Sequence, residues 1–237
     1  MPNTIIPRGQ SKRNSGFTLI ELLIVIGIIA ILAALLFPVF ASAKKAAKTT
    51  STVSNQRQLG VAFTLYEDDN DDLYPLVCDG PLGENKTGGW VWYDHFNFNS
   101  AGHFDVTKGS IFPYAKNAQI YLSPNDGHAN QTGLSFAINS CLVDPLSGTG
   151  LTPTKPTTAV PQPSDTMLLG EEGTGLGNDH SNDTNDGFFA SLYDHFSAWN
   201  AGGTAIIFTD LHAKVRQVQG DAAIASVTSG NTPGFCN

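Results

Sequence analysis

Gly16-Phe17-Thr18-Leu19-Ile20-Glu21 opens an apolar run, Leu22 to Ala43, that holds no charged residue. A carboxylate at the mouth of a membrane-length apolar stretch is unfavourable. On insertion scales a charge at the bilayer centre costs roughly 2.5–3.5 kcal/mol. Something has to offset Glu21, and a cation supplied by assembly would do so. A cation about one helical turn away, on the same chain or a neighbouring one, would meet it. In a low-dielectric helical bundle such a pair favours one axial register between copies, the best-attested use of buried ion pairs. The segment therefore reads as an assembly element, not as the edge of a lone membrane helix.

Downstream, residues 17–66 read as one long helix. Its first part, 17–43, is membrane-compatible, and 44–70 continues it as an amphipathic stretch into the rest of the chain. Val53, Leu59, Ala62, Phe63 and Tyr66 recur at three- and four-residue spacing and should lie on a sheet. Pro38 lacks an N–H and should loosen or kink the helix. Thr49-Thr50-Ser51-Thr52 is a weak patch where a break is expected, because β-branched and hydroxyl residues have modest helix propensity. At 1.5 Å per residue the helix would be about 75 Å long, more than a globular domain needs. The excess should protrude and be covered by membrane or by other copies.

The helix should end in Glu67-Asp68-Asp69-Asn70-Asp71-Asp72, with Asn70 able to take a left-handed position. Leu73-Tyr74-Pro75 then turns the chain. Residues 71–237 read as a β-rich domain with long loops. Strands are expected at Gly89–Tyr93, Gln119–Leu122 and Thr166–Gly170. Thr204–Phe208 and Ala213–Val218 should form a hairpin around Asp210, the second half alternating as a half-exposed antiparallel strand does. Gly148–Pro163, rich in Thr and Pro, reads as a loop. The fold class is α+β: a long N-terminal helix packed on an antiparallel sheet.

The chain has 237 residues and a formal charge of −8. Residues 1–16 hold Arg8, Lys12 and Arg13 and no acid, so their removal makes it more acidic by three. Such a surface is a poor partner for nucleic-acid backbones. The cysteines are Cys78, Cys141 and Cys236. None has C-x-x-C spacing, so a zinc or redox motif is absent. One disulfide with one cysteine over, or three buried thiols, both fit.

The basic leader ending at Gly16, then Phe17 and Thr-Leu-Ile-Glu before the apolar run, resembles the class III leader of type IV pilins and type II secretion pseudopilins. The resemblance implies cleavage after Gly16 by a prepilin peptidase and methylation of Phe17. Glu21 becomes the fifth mature residue, and Pro38 falls where many members have a helix-loosening proline. It also implies an inner-membrane platform protein and an assembly ATPase as partners. The chain would sit in the inner membrane first and in an extracellular or periplasmic filament afterwards. A rival cut after Ala43 is offered by Ala41-Ser42-Ala43, of the A-x-A form, which would free a secreted domain starting at Lys44. The apolar stretch exceeds a signal peptide's usual 7–15 residues, and that cut leaves the Gly16–Phe17 junction without purpose. Charge does not orient the helix: Arg8, Lys12 and Arg13 on one flank balance Lys44, Lys45 and Lys48 on the other.

The later chain resembles pilin-like proteins with an H-X9-DG C-terminal domain. The similarity runs through Asn55–Gly60, Tyr66-Glu67-Asp68 and Pro75. Leu122–Asp126 is similar to that family's Cys-Pro-Ser-Asp element with Ser123 in the cysteine's place, and Pro163–Glu171 to its next strand, which ends in glutamate. The naming motif is degraded: Gly202-Gly203 and Phe208–His212 align, but Asn200 stands for the histidine and Leu211 for the glycine. His195 lies nearby at the wrong spacing. Leu211 implies a different turn from the family's Asp-Gly.

No catalytic constellation stands out, and the chain does not read as an enzyme. There is no G-x-S-x-G, H-E-x-x-H or P-loop, and Asp210 with His212 on one strand face would not make a site. Asp179, Asp183, Asn185 and Asp186 in the run 179–187 offer hard oxygen ligands for Ca2+, though without EF-hand spacing, and a solvated turn explains them as well. The function expected is a structural subunit of a type IV pilus or secretion pseudopilus, a homo- or heteropolymer of pilins. The alternative is a minor or tip pilin, or a helix-anchored surface binding module, with calcium-dependent contacts.

Overall fold

The computed structural model describes residues 17–79, 89–95, 103–139, 141–143, 156–173, 187–189 and 195–217. They divide into two compact units, Met1–Ala43 and Lys44–Asn237, taken separately here.

Helix α1 spans Leu19–Asp69 and carries Pro38 inside it. It also continues through Thr49–Thr52, where a break was expected. The hydroxyls there do not compete with the helix. Thr49, Thr50, Ser51 and Thr52 each donate to the carbonyl four residues back, at 3.1–3.2 Å, so they are satisfied without ending it. The left-handed residues after α1 are Asp71 and Asp72 (φ 56° and 57°), not Asn70. Asn70 instead donates its side-chain amide to Tyr66 O at 2.7 Å, and Asp72 N reaches Glu67 O at 3.0 Å. These bonds satisfy carbonyls that a helix end leaves open.

In the unit from Lys44 onward, β1 (Leu76–Asp79), β2 (Gly89–His95) and β3 (His103–Asp105) form one sheet. Two single-turn helices follow, α2 (Phe112–Ala115) and α3 (Ala129–Thr132). The second sheet takes β4 (Phe136–Asn139), β5 (Met167–Gly173), β6 (Phe188–Phe189), β7 (His195–Phe196), β8 (Gly203–Phe208) and β9 (Ala213–Gln217). Its order is β6-β4-β5-β8-β9, with β7 on β5. The sheet is antiparallel through β4-β5-β8-β9, but β6 joins β4, and β1 joins β2, in parallel. Alternation in a sequence reports which residues face the core, not the direction of the neighbouring strand.

Gln119–Leu122 is not a strand. Ala118–Tyr121 forms a 3-10 turn capped by Asn117, whose side chain accepts from Gln119 N at 3.0 Å. Ile120 and Tyr121 are both buried, which adjacent strand residues facing opposite sides of a one-sided sheet would not be.

The buried face of α1 is Thr52, Gln56, Leu59, Gly60, Ala62 and Phe63. It meets β8, where Gln56 Nε2 donates to Ala205 O at 2.9 Å. Phe63 packs on Trp90 and Trp90 on Tyr121, with centroids 5.8 and 6.2 Å apart. Trp90 Nε1 donates to Gly187 O at 2.9 Å, pinning the end of the Asp/Asn-rich run to the core. A second cluster of Ala137, Met167, Phe189, Phe196, Ile206 and Phe208 lies on the opposite face, as the alternation of Ile206, Ile207 and Phe208 along β8 requires. Cys141 is disulfide-bonded, which decides between the bridge and the three thiols.

The β8–β9 turn keeps a glycine-type geometry although leucine replaces glycine. Leu211 N donates to Phe208 O and Phe208 N to His212 O, both at 2.9 Å, and Leu211 has φ 68°. This is a type I turn followed by a left-handed residue. The expected different turn is not formed. Leucine tolerates a strain of roughly 1–2 kcal/mol there because its side chain packs over Gly60 of α1.

Candidate functional site

In the first unit, Phe17 is 79% exposed and the large apolar side chains from Leu19 to Phe40 all stand in the open. The helix is long and apolar enough to cross a membrane, with none of its apolar window buried. Its start is a capping box. Thr18 N and Thr18 Oγ1 donate to Glu21 Oε2 at 2.9 and 2.7 Å, and Glu21 N donates to Thr18 Oγ1 at 3.3 Å. Each side chain satisfies a backbone N–H that a helix N-terminus leaves open. Glu21 therefore has a local role at the helix start. The Thr-x-x-Glu spacing announces it in the sequence, and sequence reasoning passed over it. Gly16 lies outside the described residues. Pro38 has no N–H to offer the Ala34 carbonyl, and Ser42 Oγ donates to the Pro38 carbonyl at 3.0 Å.

In the second unit, positions that the sequence singled out one by one converge on a single carboxylate. Glu171, on β5, is 0% exposed. Its Oε1 accepts from Ser123 Oγ at 2.7 Å. Its Oε2 accepts from Ala205 N at 2.7 Å, from Ser197 Oγ at 3.4 Å and from Asn200 Nδ2. Asn200 in turn accepts at Oδ1 from Asn125 Nδ2 at 2.7 Å and from Thr49 Oγ1 at 2.9 Å. Ser123 Oγ is 3.0 Å from Thr52 Oγ1. The residues in the place of the motif's cysteine and histidine are thus partners of the residue in the place of its glutamate.

Helix α1 reaches this carboxylate by three routes, each with one intermediary: Thr49 through Asn200, Thr52 through Ser123, and Gln56 through the Ala205 backbone. Their spacing places all three on one helical face. Sequence reasoning missed Thr49, Thr52 and Gln56, because a stripe search counts apolar residues and these are polar.

Burial pushes the Glu171 carboxyl up to about 7, and Asp126 adds to the rise, against hydrogen bonds from Ala205 N, Ser123 and Ser197 that lower it. Burial also raises Asp126, whose oxygens accept from Ser135 Oγ at 2.6 Å and His128 N at 2.8 Å. These donors are neutral. The arrangement encloses the carboxyl fully away from solvent.

Asp210 and His212 lie in the turn, not on a strand, with Oδ1 and Nδ1 2.6 Å apart and the imidazole stacked on Phe208. Among the described residues no group of three or more His, Cys, Asp or Glu could hold a metal ion. Asp179, Asp183, Asn185 and Asp186, and the side chain of His195, lie outside what is described.

Residues 11–37 match the prokaryotic N-terminal methylation motif. Over 88 residues the chain is 39% identical to the type II secretion system core protein G of Pseudomonas aeruginosa. That stretch is 34% of this chain and spans 61% of the relative's length. No solved structure matches. With the long apolar helix and the α+β unit behind it, the chain is similar to pilins and pseudopilins.

Proposed function

We propose that the chain is a structural subunit of an envelope filament, cut after Gly16, methylated on Phe17 and polymerised through α1. The observation that carries this is the methylation motif placed on a helix start whose apolar side chains are all exposed. Water does not favour the exposed apolar side chains between Leu19 and Phe40, and membrane lipid before assembly, then other copies of the helix, would cover them. Cutting after Gly16 puts an amine one residue before the Thr18–Glu21 box, where the carboxylate is already held at the helix start. An amine and a carboxylate so placed can pair within one copy or between copies and set the register.

Of the two filament classes we favour the secretion pseudopilus, because the relative is a type II secretion system core protein. The partners are then a prepilin peptidase, an inner-membrane platform protein and a cytoplasmic assembly ATPase. The subunit waits in the inner membrane and works in a periplasmic or extracellular filament. The disulfide at Cys141 supports export of the second unit to an oxidising compartment. Mass spectrometry of the mature N-terminus tests the reading. Methyl-Phe17 is expected, and a chain beginning at Lys44 would overturn it.

A further inference from the structure

A hydroxyl has one proton to donate. Thr52 Oγ1 donates to Lys48 O at 3.1 Å and lies 3.0 Å from Ser123 Oγ, which is 2.7 Å from Glu171 Oε1. With Glu171 ionised, Ser123 donates to the carboxylate and has to accept from Thr52, which then gives up or shares the Lys48 carbonyl. With Glu171 neutral, its carboxyl can donate to Ser123, Ser123 to Thr52, and Thr52 keeps the Lys48 carbonyl.

We propose that Glu171, Ser123 and Thr52 form a proton-set latch that holds residues Thr49–Gln56 of α1 on the sheet, closed when Glu171 is protonated and loosened when it is not. This does not rest on the filament reading. Ionisation does more than reverse the chain of hydroxyls. It leaves a fully buried anion beside a second carboxyl, Asp126, which itself faces His128. On α1 the facing side chains are Thr49, Thr52 and Gln56, all neutral, while Lys45 and Lys48 are exposed. Glu172, next along β5, points to the other face of the sheet. A buried anion without a cation at hand draws in water. The α1 side is where water can enter by replacing side-chain hydrogen bonds instead of opening an apolar contact. Gln56 Oε1, buried and without a hydrogen-bond partner among the described residues, marks that side as polar. The rise in the Glu171 pKa places the transition close to neutral pH.

The test is amide hydrogen exchange of the full chain in detergent micelles from pH 5 to pH 8, with rates corrected for the intrinsic effect of pH. Residues 49–56 should exchange about tenfold faster at pH 8, with no matching change at Trp90 and Val91. Glu171→Gln should abolish the step. A flat profile in the unaltered protein overturns the latch whatever the variant does. So does a step that survives in Glu171→Gln.

Discussion

Leu211 Cδ2 lies 3.0 Å from the point where a β-carbon on Gly60 would stand, and Ile207 Cδ1 lies 2.6 Å from it. The helix and the β8–β9 hairpin thus meet at a residue without a side chain, and a leucine in a left-handed turn position closes the contact. Sequence alone marks Leu211 as a departure from a glycine motif. The contact explains the exchange: conformational strain at one residue is offset by packing at another.

That balance makes an unusual prediction. In most loops alanine is more stable than glycine, because glycine leaves the unfolded chain freer. At position 211 the order should reverse. Both Leu211→Ala and Leu211→Gly lose the packing over Gly60, but only alanine keeps the strain of positive φ. Chemical denaturation should find Leu211→Gly about 1 kcal/mol more stable than Leu211→Ala.

The cap that Glu21 forms and the charge it carries can be separated. Glutamine can serve in a capping box as glutamate does, so Glu21→Gln should keep the helix start while removing the charge. If the charge sets the register between copies, Glu21→Gln and Glu21→Ala should both lower filament yield sharply in a shearing assay. Thr18→Ala, which removes a cap of about 1 kcal/mol, should lower it little. Normal yield from Glu21→Gln would show that the cap, not the charge, is what assembly needs.

Stability should fall as pH rises through neutrality. Glu171 titrates near 7 in the folded chain against an ordinary 4.5. Its raised value means that the folded state binds the proton more tightly than the unfolded one. The stabilisation is therefore complete below about 4.5 and lost as pH climbs through about 7, and a shift of that size corresponds to about 3 kcal/mol. Burial, with Asp68 and Asp72, raises Glu67 to about 7 as well, so the two act together. Thermal melts from pH 4.5 to pH 8 should show a falling midpoint. Glu171→Gln should flatten the slope in part, leaving the Glu67 share.

Reduction should weaken the second unit. A disulfide of this kind is typically worth about 2–4 kcal/mol. Dithiothreitol should therefore lower the melting temperature of the protein, and Cys141→Ser should lower it equally, with no further loss on adding the reductant.

How far the sequence could be read follows from what each residue's conformation depends on. The helix from Leu19 and the β5, β8 and β9 strands were legible because local pattern and burial agree there. Gln119–Leu122 was misread because a short apolar run does not say whether Asn117 will cap a turn. Thr49–Thr52 was misread as a weak point because propensity treats a hydroxyl as a competitor of the helix, whereas here each hydroxyl bonds to its own helix and two of them also face Ser123 and Asn200. The resemblance picked out Ser123 and Asn200 as departures and Glu171 as a match, spread along 78 positions of chain, with no physical link among them.

By itself the sequence determined the N-terminal element: Gly16 to Ala43 is a local string whose charge, apolar length and capping residues act within a few turns of helix, so its reading needs no distant contact. Only the tertiary structure decided what the polar residues beyond it do. Thr52, Ser123, Glu171 and Asn200 take their roles from burial, which removes water and obliges each donor to find its acceptor across the fold. A sequence shows the donors and the acceptors but not which of them water has left.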